Sequence, residues 1–160
     1  MGAANLAGPG SPDLSPPERA APEQIRHRIC SGEWVVDLRD RVAFAAGFVP
    51  GTLSVPLDGS VASYLGWVLP WGTPVTLLGE TSQQVAQAQR ELVRIGIDCP
   101  AGAATGRPEH WSGGRPLASL PLASFGDLAA ACDTRHVVVL DVRRRLEWED
   151  GHVDGRCTSR

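Results

Sequence analysis

The sequence predicts an α/β protein built on a parallel sheet flanked by helices, and two observations carry that prediction. First, short β-rich runs at 34–38, 53–57 and 75–78 alternate with stretches of helical periodicity, an order that implies strands joined through helical crossovers. Second, one phrase is written twice, 104 positions apart: Val36-Asp37-Leu38-Arg39-Asp40-Arg41 leading to Gly47-Phe48-Val49-Pro50-Gly51, and Leu140-Asp141-Val142-Arg143-Arg144-Arg145 leading to Gly151-His152-Val153-Asp154-Gly155. Each copy follows an apolar run and reads as a buried strand, a carboxylate at its end, a short helix and a glycine-bounded turn. The spacing is about that of one small domain, so one complete domain and the truncated start of a second are expected.

Each element has a local cause. Residues 1–21 are rich in Pro, Gly, Ala and Ser without periodicity, and read as a linker or the remnant of an upstream domain. Pro22 suits the first position of a helix that runs to about residue 31 and leads into the strand at 34–38. After the first copy of the phrase come a strand at 53–57, a helix at 60–69, a strand at 75–78 and a helix at 83–95, whose apolar positions 85, 88, 92 and 95 share one face. These elements place the first domain at 22–106. The Gly- and Pro-rich stretch 107–122 reads as a connector, with Trp111 packing back on the first domain. A helix at 125–131 and a strand at 137–140 then open the second domain, at 123–160.

A strand, Asp-x-Arg, about eight residues and a Gly-bounded turn together resemble the opening of a rhodanese-like domain. The first copy supplies Asp37, Arg39, Gly47 and Gly51; the second supplies Asp141, Arg143, Gly151, His152 and Gly155. Read from the residues themselves, each Asp and Arg pair at the strand end and satisfy backbone groups, which makes them scaffold. His152 is expected to hydrogen-bond the backbone of its turn, a contact that Phe48 cannot make. The resemblance implies a nucleophilic cysteine directly after a central strand, in a loop whose amides face the sulfur and which precedes a helix. Gly79 stands at that place here, followed by Glu80, Thr81, Ser82, Gln83 and Gln84. Thr81 or Ser82 suits a helix N-cap, and neither has a base in sequence reach to activate it. Glu80 opposes an anionic sulfur species. The related long-loop phosphatases need a cysteine and a loop-closing arginine where this chain has Gly79 and Gln84.

A narrower resemblance rests on Pro16-Pro17-Glu18-Arg19-Ala20, Gly32-Glu33-Trp34-Val35-Val36-Asp37-Leu38-Arg39, Gly66-Trp67 with Pro70-Trp71-Gly72-Thr73-Pro74-Val75, and Leu78-Gly79-Glu80-Thr81. These stretches are similar to the tandem rhodanese-like tail of bacterial persulfide dioxygenase-type fusions, which follows a metallo-β-lactamase-fold domain. The resemblance implies a catalytically silent module of persulfide or thiosulfate metabolism, partnered by a metallo-β-lactamase-fold hydrolase or dioxygenase. It also implies that the chain is an internal-to-C-terminal piece that breaks off early in the second repeat. The unpaired strand at 137–140 would then favour weak self-association. The alternative is an active thiosulfate or persulfide sulfurtransferase that uses one of the other cysteines.

Composition excludes further classes. Net charge is −3 and all fifteen basic residues are arginine, which leaves no electrostatic footprint for nucleic acid; Arg143-Arg144-Arg145 reads as a solvated helix start. No apolar run reaches the length of a membrane span. His27, His110, His136 and His152 fall in four segments without metal-ligand spacing, so neither a metal nor another cofactor is expected. Cys30, Cys99, Cys132 and Cys157 form no CxxC pair and are expected to be free, reduced thiols of a cytoplasmic protein.

Overall fold

The computed structural model describes residues 13–70, 72–97, 100–134 and 136–152. Contacts divide the chain into two compact units, Met1–Pro121 and Leu122–Arg160. In the first unit, helices α1 (Pro22–Cys30), α2 (Arg41–Ala46), α3 (Val61–Val68), α4 (Ser82–Val93) and α5 (Pro108–Trp111) surround strands β1 (Trp34–Asp37), β2 (Leu53–Ser54), β3 (Val75–Gly79) and β4 (Gly102–Thr105). The strands form one parallel sheet in the order β2-β1-β3-β4. This is the expected α/β architecture.

Strand alternation sorts side chains to two cores. Val36 and Leu77 join Val61, Leu65, Val85, Ala88 and Leu92 on the face covered by α3 and α4. Their neighbours Val35 and Leu78 point the other way, to Ile25, Val49 and Trp111. Both faces of the sheet are therefore covered, which is why every residue of β3 is buried. Arg28 of α1 fastens the sheet from one side: it donates to Thr76 Oγ1, and through Nη2 to the Ala101 carbonyl at 2.9 Å.

Four expectations are corrected. Residues 107–122 are more than a connector: Trp111 packs in the first core at 2% exposure, as expected, but Pro108 also opens α5, and Phe48 and Ala118 exchange backbone hydrogen bonds at 2.9 Å. The chain before Pro22 is not wholly a linker either, since Glu18 and Ala20 exchange backbone bonds with Ala103 at 2.8 and 2.7 Å and extend the sheet past β4. In the second unit, α6 (Phe125–Thr134) and α7 (Arg145–Glu149) form as expected, but residues 137–140 are not a strand. A parallel ladder needs a neighbour, and among the described residues they have none. Finally, Cys30 is a free thiol but Cys132 is disulfide-bonded; Cys99 and Cys157 lie outside the described residues. No helix among the described residues is long and apolar enough to cross a membrane.

Gly51 and Gly59 have nearly the same left-handed backbone, φ +91° and +90°, yet a Cβ at Gly51 would collide with Ile29 Cγ2 while one at Gly59 meets nothing within 4 Å. Urea unfolding should find Gly59→Ala destabilised by about 1 kcal/mol, the backbone cost alone. Gly51→Ala should lose about 2 kcal/mol more through overpacking of the α1 contact. Equal losses would show that Ile29 yields freely.

Candidate functional site

The C-terminal ends of β1, β3 and β4 meet at a cavity of about 380 Å³ lined by Arg39, Gly47, Glu80, Gly106, Arg107 and Glu109, among others. Ligands of open parallel α/β sheets bind at this end, so it is where a site belongs. Its floor is the repeated phrase. Asp37 ends β1 fully buried and Arg39 is buried beside it. The guanidinium grips the carboxylate as a fork, with Nη2–Oδ2 at 2.7 Å and Nε–Oδ1 at 3.0 Å, and the Arg39 amide adds a bond to Oδ1 at 3.1 Å. The remaining N–H groups reach the Ala43 carbonyl at 3.2 Å and the Gly47 carbonyl at 2.8 Å. The ring of Trp111 lies 5.2 Å from the guanidinium carbon, a cation–π cover that reading 107–122 as a connector misses. Pro108, standing where the first position of a helix falls, is the sequence signal that could have found this cover.

The second copy repeats the fork and the turn bond, while the Arg39 bond to Ala43 and the Trp111 cover have no counterpart among the described residues. Arg143 grips Asp141 with Nη2–Oδ2 at 2.7 Å and Nε–Oδ1 at 3.0 Å, its amide donates to Oδ1 at 3.0 Å, and Nη2 reaches the Gly151 carbonyl at 2.9 Å. The ring pairs correspond as well: Phe44 stacks on Phe48 with centroids 4.3 Å apart, and Trp148 on His152 at 3.9 Å. His152 also meets the Trp148 carbonyl at 3.1 Å, so it bonds backbone as expected, while the stacking is the contact that both copies keep. Burial differs as well. The Arg and Asp side chains are 6% and 0% exposed in the first copy and 46% and 25% exposed in the second. Gly155 lies outside the described residues.

Above the floor, the loop from Gly79 to Gln84 bonds part of its own backbone. Gly79 is the buried last residue of β3, and its carbonyl accepts from the Gly106 amide at 3.0 Å. The Glu80 amide donates to Gln84 Oε1 at 2.7 Å, Gln84 Nε2 donates to Glu80 Oε2 at 3.3 Å, and the Gln84 amide donates to Thr81 Oγ1 at 3.2 Å. Thr81 is thus the N-cap of α4; Ser82 is its first residue, and Gln83 is exposed. A Cβ built on Gly79 would meet Val85 Cγ2 at 3.3 Å and Gln84 Oε1 at 3.4 Å, so Gln84 fills the space a longer side chain would need. Among the described residues no group of three His, Cys, Asp or Glu could hold a metal. Cys30 lines a different cavity, with Arg26, Trp111 and Arg115.

No protein-family description matches the chain, and no curated protein does. Solved structures do. A rhodanese-like domain from Anabaena sp. is similar over 79% of this chain and 95% of its own, at 17% identity and TM-score 0.52. A thiosulfate sulfurtransferase from Pseudomonas aeruginosa is similar over 87% of this chain and 33% of its own, at 19% identity and TM-score 0.50. A metallo-β-lactamase from Staphylococcus aureus subsp. aureus COL is similar over 61% of this chain and 26% of its own, at 24% identity and TM-score 0.50. The fold is therefore rhodanese-like. The chain spans about a third or less of the length of the two larger proteins.

Removing the guanidinium in Arg39→Ala leaves the Asp37 carboxylate buried without its partner, and urea unfolding should show a loss of about 3–5 kcal/mol; a loss below about 1 kcal/mol would mean that water replaces the fork. In the second copy, the Arg143 side chain first and its backbone N–H second lower the Asp141 carboxyl from 3.8 to about 2. Whatever stability this pair contributes is complete above the ordinary carboxylate range and fades as pH falls through about 2. An NMR titration of the Asp141 carboxyl carbon should place its midpoint near 2 and return it toward 3.8 in Arg143→Gln.

Proposed function

We propose that this chain is a catalytically inactive rhodanese-like module of sulfur metabolism, one that handles no persulfide or thiosulfate itself and works beside a metallo-β-lactamase-fold hydrolase or dioxygenase. The observation that carries the reading is the loop after β3. A sulfurtransferase loop must present a thiolate and free amide donors to a charged sulfur species. Here Gly79 offers no nucleophile, and the amides of Glu80 and Gln84 are taken by Gln84 Oε1 and Thr81 Oγ1. The Glu80 carboxylate adds negative charge where an anionic donor would arrive. Similarity to a rhodanese-like domain and to a thiosulfate sulfurtransferase supports the sulfur-handling context, and similarity to a segment of a metallo-β-lactamase chain supports the choice of partner.

A thiosulfate-to-cyanide assay tests the silence directly. The purified chain should form no thiocyanate above a protein-free control. Gly79→Cys alone should restore little activity, because Glu80 disfavours both the thiolate and its anionic donor. Thiocyanate formation that disappears in Cys30→Ser or Cys99→Ser would establish the alternative, an active sulfurtransferase with its nucleophile elsewhere.

A further inference from the structure

We propose that the cavity between α1 and the chain following α5 binds small aliphatic carboxylates, and that the Cys30 thiol in its wall is modified there by carboxylate-bearing disulfides. The cavity encloses about 200 Å³ within the first unit and is separate from the one at the strand ends. Pro22, Arg26 and Cys30 recur at helical spacing, so one face of α1 forms one side of it. Trp111 and Arg115 stand on the other side. The two sides are held close, because a Cβ at Gly113 would come within 3.0 Å of Pro22 Cβ, and the left-handed φ of +63° there already favours glycine.

The donors around this cavity lack acceptors. The Arg26 and Arg115 side chains make no hydrogen bond or ion pair among the described residues. The Nε1–H of Trp111 is buried without an acceptor, the one such side-chain donor among the described residues. No Asp or Glu lines the cavity, whereas Glu80 and Glu109 line the one at the strand ends. Two unpaired guanidinium groups favour an anion and match the planar fork of a carboxylate, and a buried N–H is relieved by a ligand oxygen. The rest of the wall, with Ile29, Val49 and Pro116, is apolar and asks for an aliphatic body. Phosphate or sulfate would satisfy the charge and leave that wall unused. The volume is below the roughly 300 Å³ at which drug-sized sites begin, so the ligand is small.

Cys30 adds chemistry to the binding. Its thiol is free and exposed, so a carboxylate-bearing disulfide held by the two arginines meets a nucleophile. The Cys30 thiolate attacks one sulfur of the reagent, a new Sγ–S bond forms and the reagent's S–S bond breaks. The other half leaves as a thiolate and takes up the proton that Cys30 gave to solvent; Cys30 is oxidised and the departing half is reduced. The half that stays keeps its carboxylate on the guanidinium groups until a thiol reverses the exchange. No sulfane sulfur moves in this step, so it stands apart from the silence of the Gly79 loop.

The test uses the full chain and reads Cys30 by peptide mass mapping. Dithiodipropionate, a dianion, is compared with the neutral hydroxyethyl disulfide, and the ratio of their rates at Cys30 is set against the ratio at a neutral model thiol, N-acetylcysteine amide. Steering into a cationic cleft should raise the ratio at Cys30 about tenfold over that of the model thiol. The double variant Arg26→Gln, Arg115→Gln should return it to the model value; both side chains are exposed, so the core is untouched. Propionate separates binding from reaction: added to Cys30→Ser, it should shift the Trp111 indole N–H signal saturably. The proposal is overturned by equal ratios at Cys30 and the model thiol, by a raised ratio that survives the loss of both arginines, or by an indole signal that propionate does not move.

Discussion

The buried pairing of Asp37 with Arg39 is the constraint on which the first unit depends. A carboxylate with no exposed surface at the end of a central strand is tolerable only if its charge is met and its lone pairs are filled. One arginine does both, through three side-chain bonds and its own amide. The rest of the guanidinium then dictates the path of the chain: holding the carbonyls of Ala43 and Gly47 fixes where α2 ends and where the backbone turns toward β2. Trp111 closes the arrangement from above, so a residue 72 positions away in sequence becomes part of the same device. The cavity at the strand ends has its shape because this floor is rigid.

Its second occurrence separates what is local from what is tertiary. The Asp141–Arg143 fork, the bond to Gly151 and the Trp148–His152 stack form with no buried residue in α6 or α7. Contacts of two, four and eight residues along the chain suffice for that geometry. Burial, by contrast, comes from β2, β3 and the helices over them, and so from distant sequence. The same distances carry different energetic weight: a fork in water contributes little, while a fork under Trp111 cannot lose a partner without stranding a charge.

This division explains how much of the molecule was legible in advance. Strand and helix periodicity, Pro22 at the start of α1 and the apolar positions 85, 88 and 92 of α4 are local patterns, and the structure reproduces them. Gly79 ending the central strand, with Thr81 capping the next helix, is equally local. The docking of residues 18–20 beside β4 and the closure of Trp111 over Arg39 depend on which distant segments meet, and composition does not encode that. Residues 137–140 make the same point in reverse. Their apolar β-branched run has strand propensity, yet a strand is a relation between two segments, and propensity supplies one of them.

The loop after β3 bonds part of its own backbone at the start of α4. Capping α4 through Thr81 satisfies a helix amide that would otherwise need a partner, and the Gln84 side chain does the same for the amide of Glu80. Each bond stabilises the start of the helix, and each removes a donor that an incoming anion would require. An anion-binding loop must keep such donors unsatisfied until its ligand arrives, which leaves it less stable when empty. Glu80, Thr81 and Gln84 therefore form one local set that caps the start of α4, while Asp37 and Arg39 hold the neighbouring strand end.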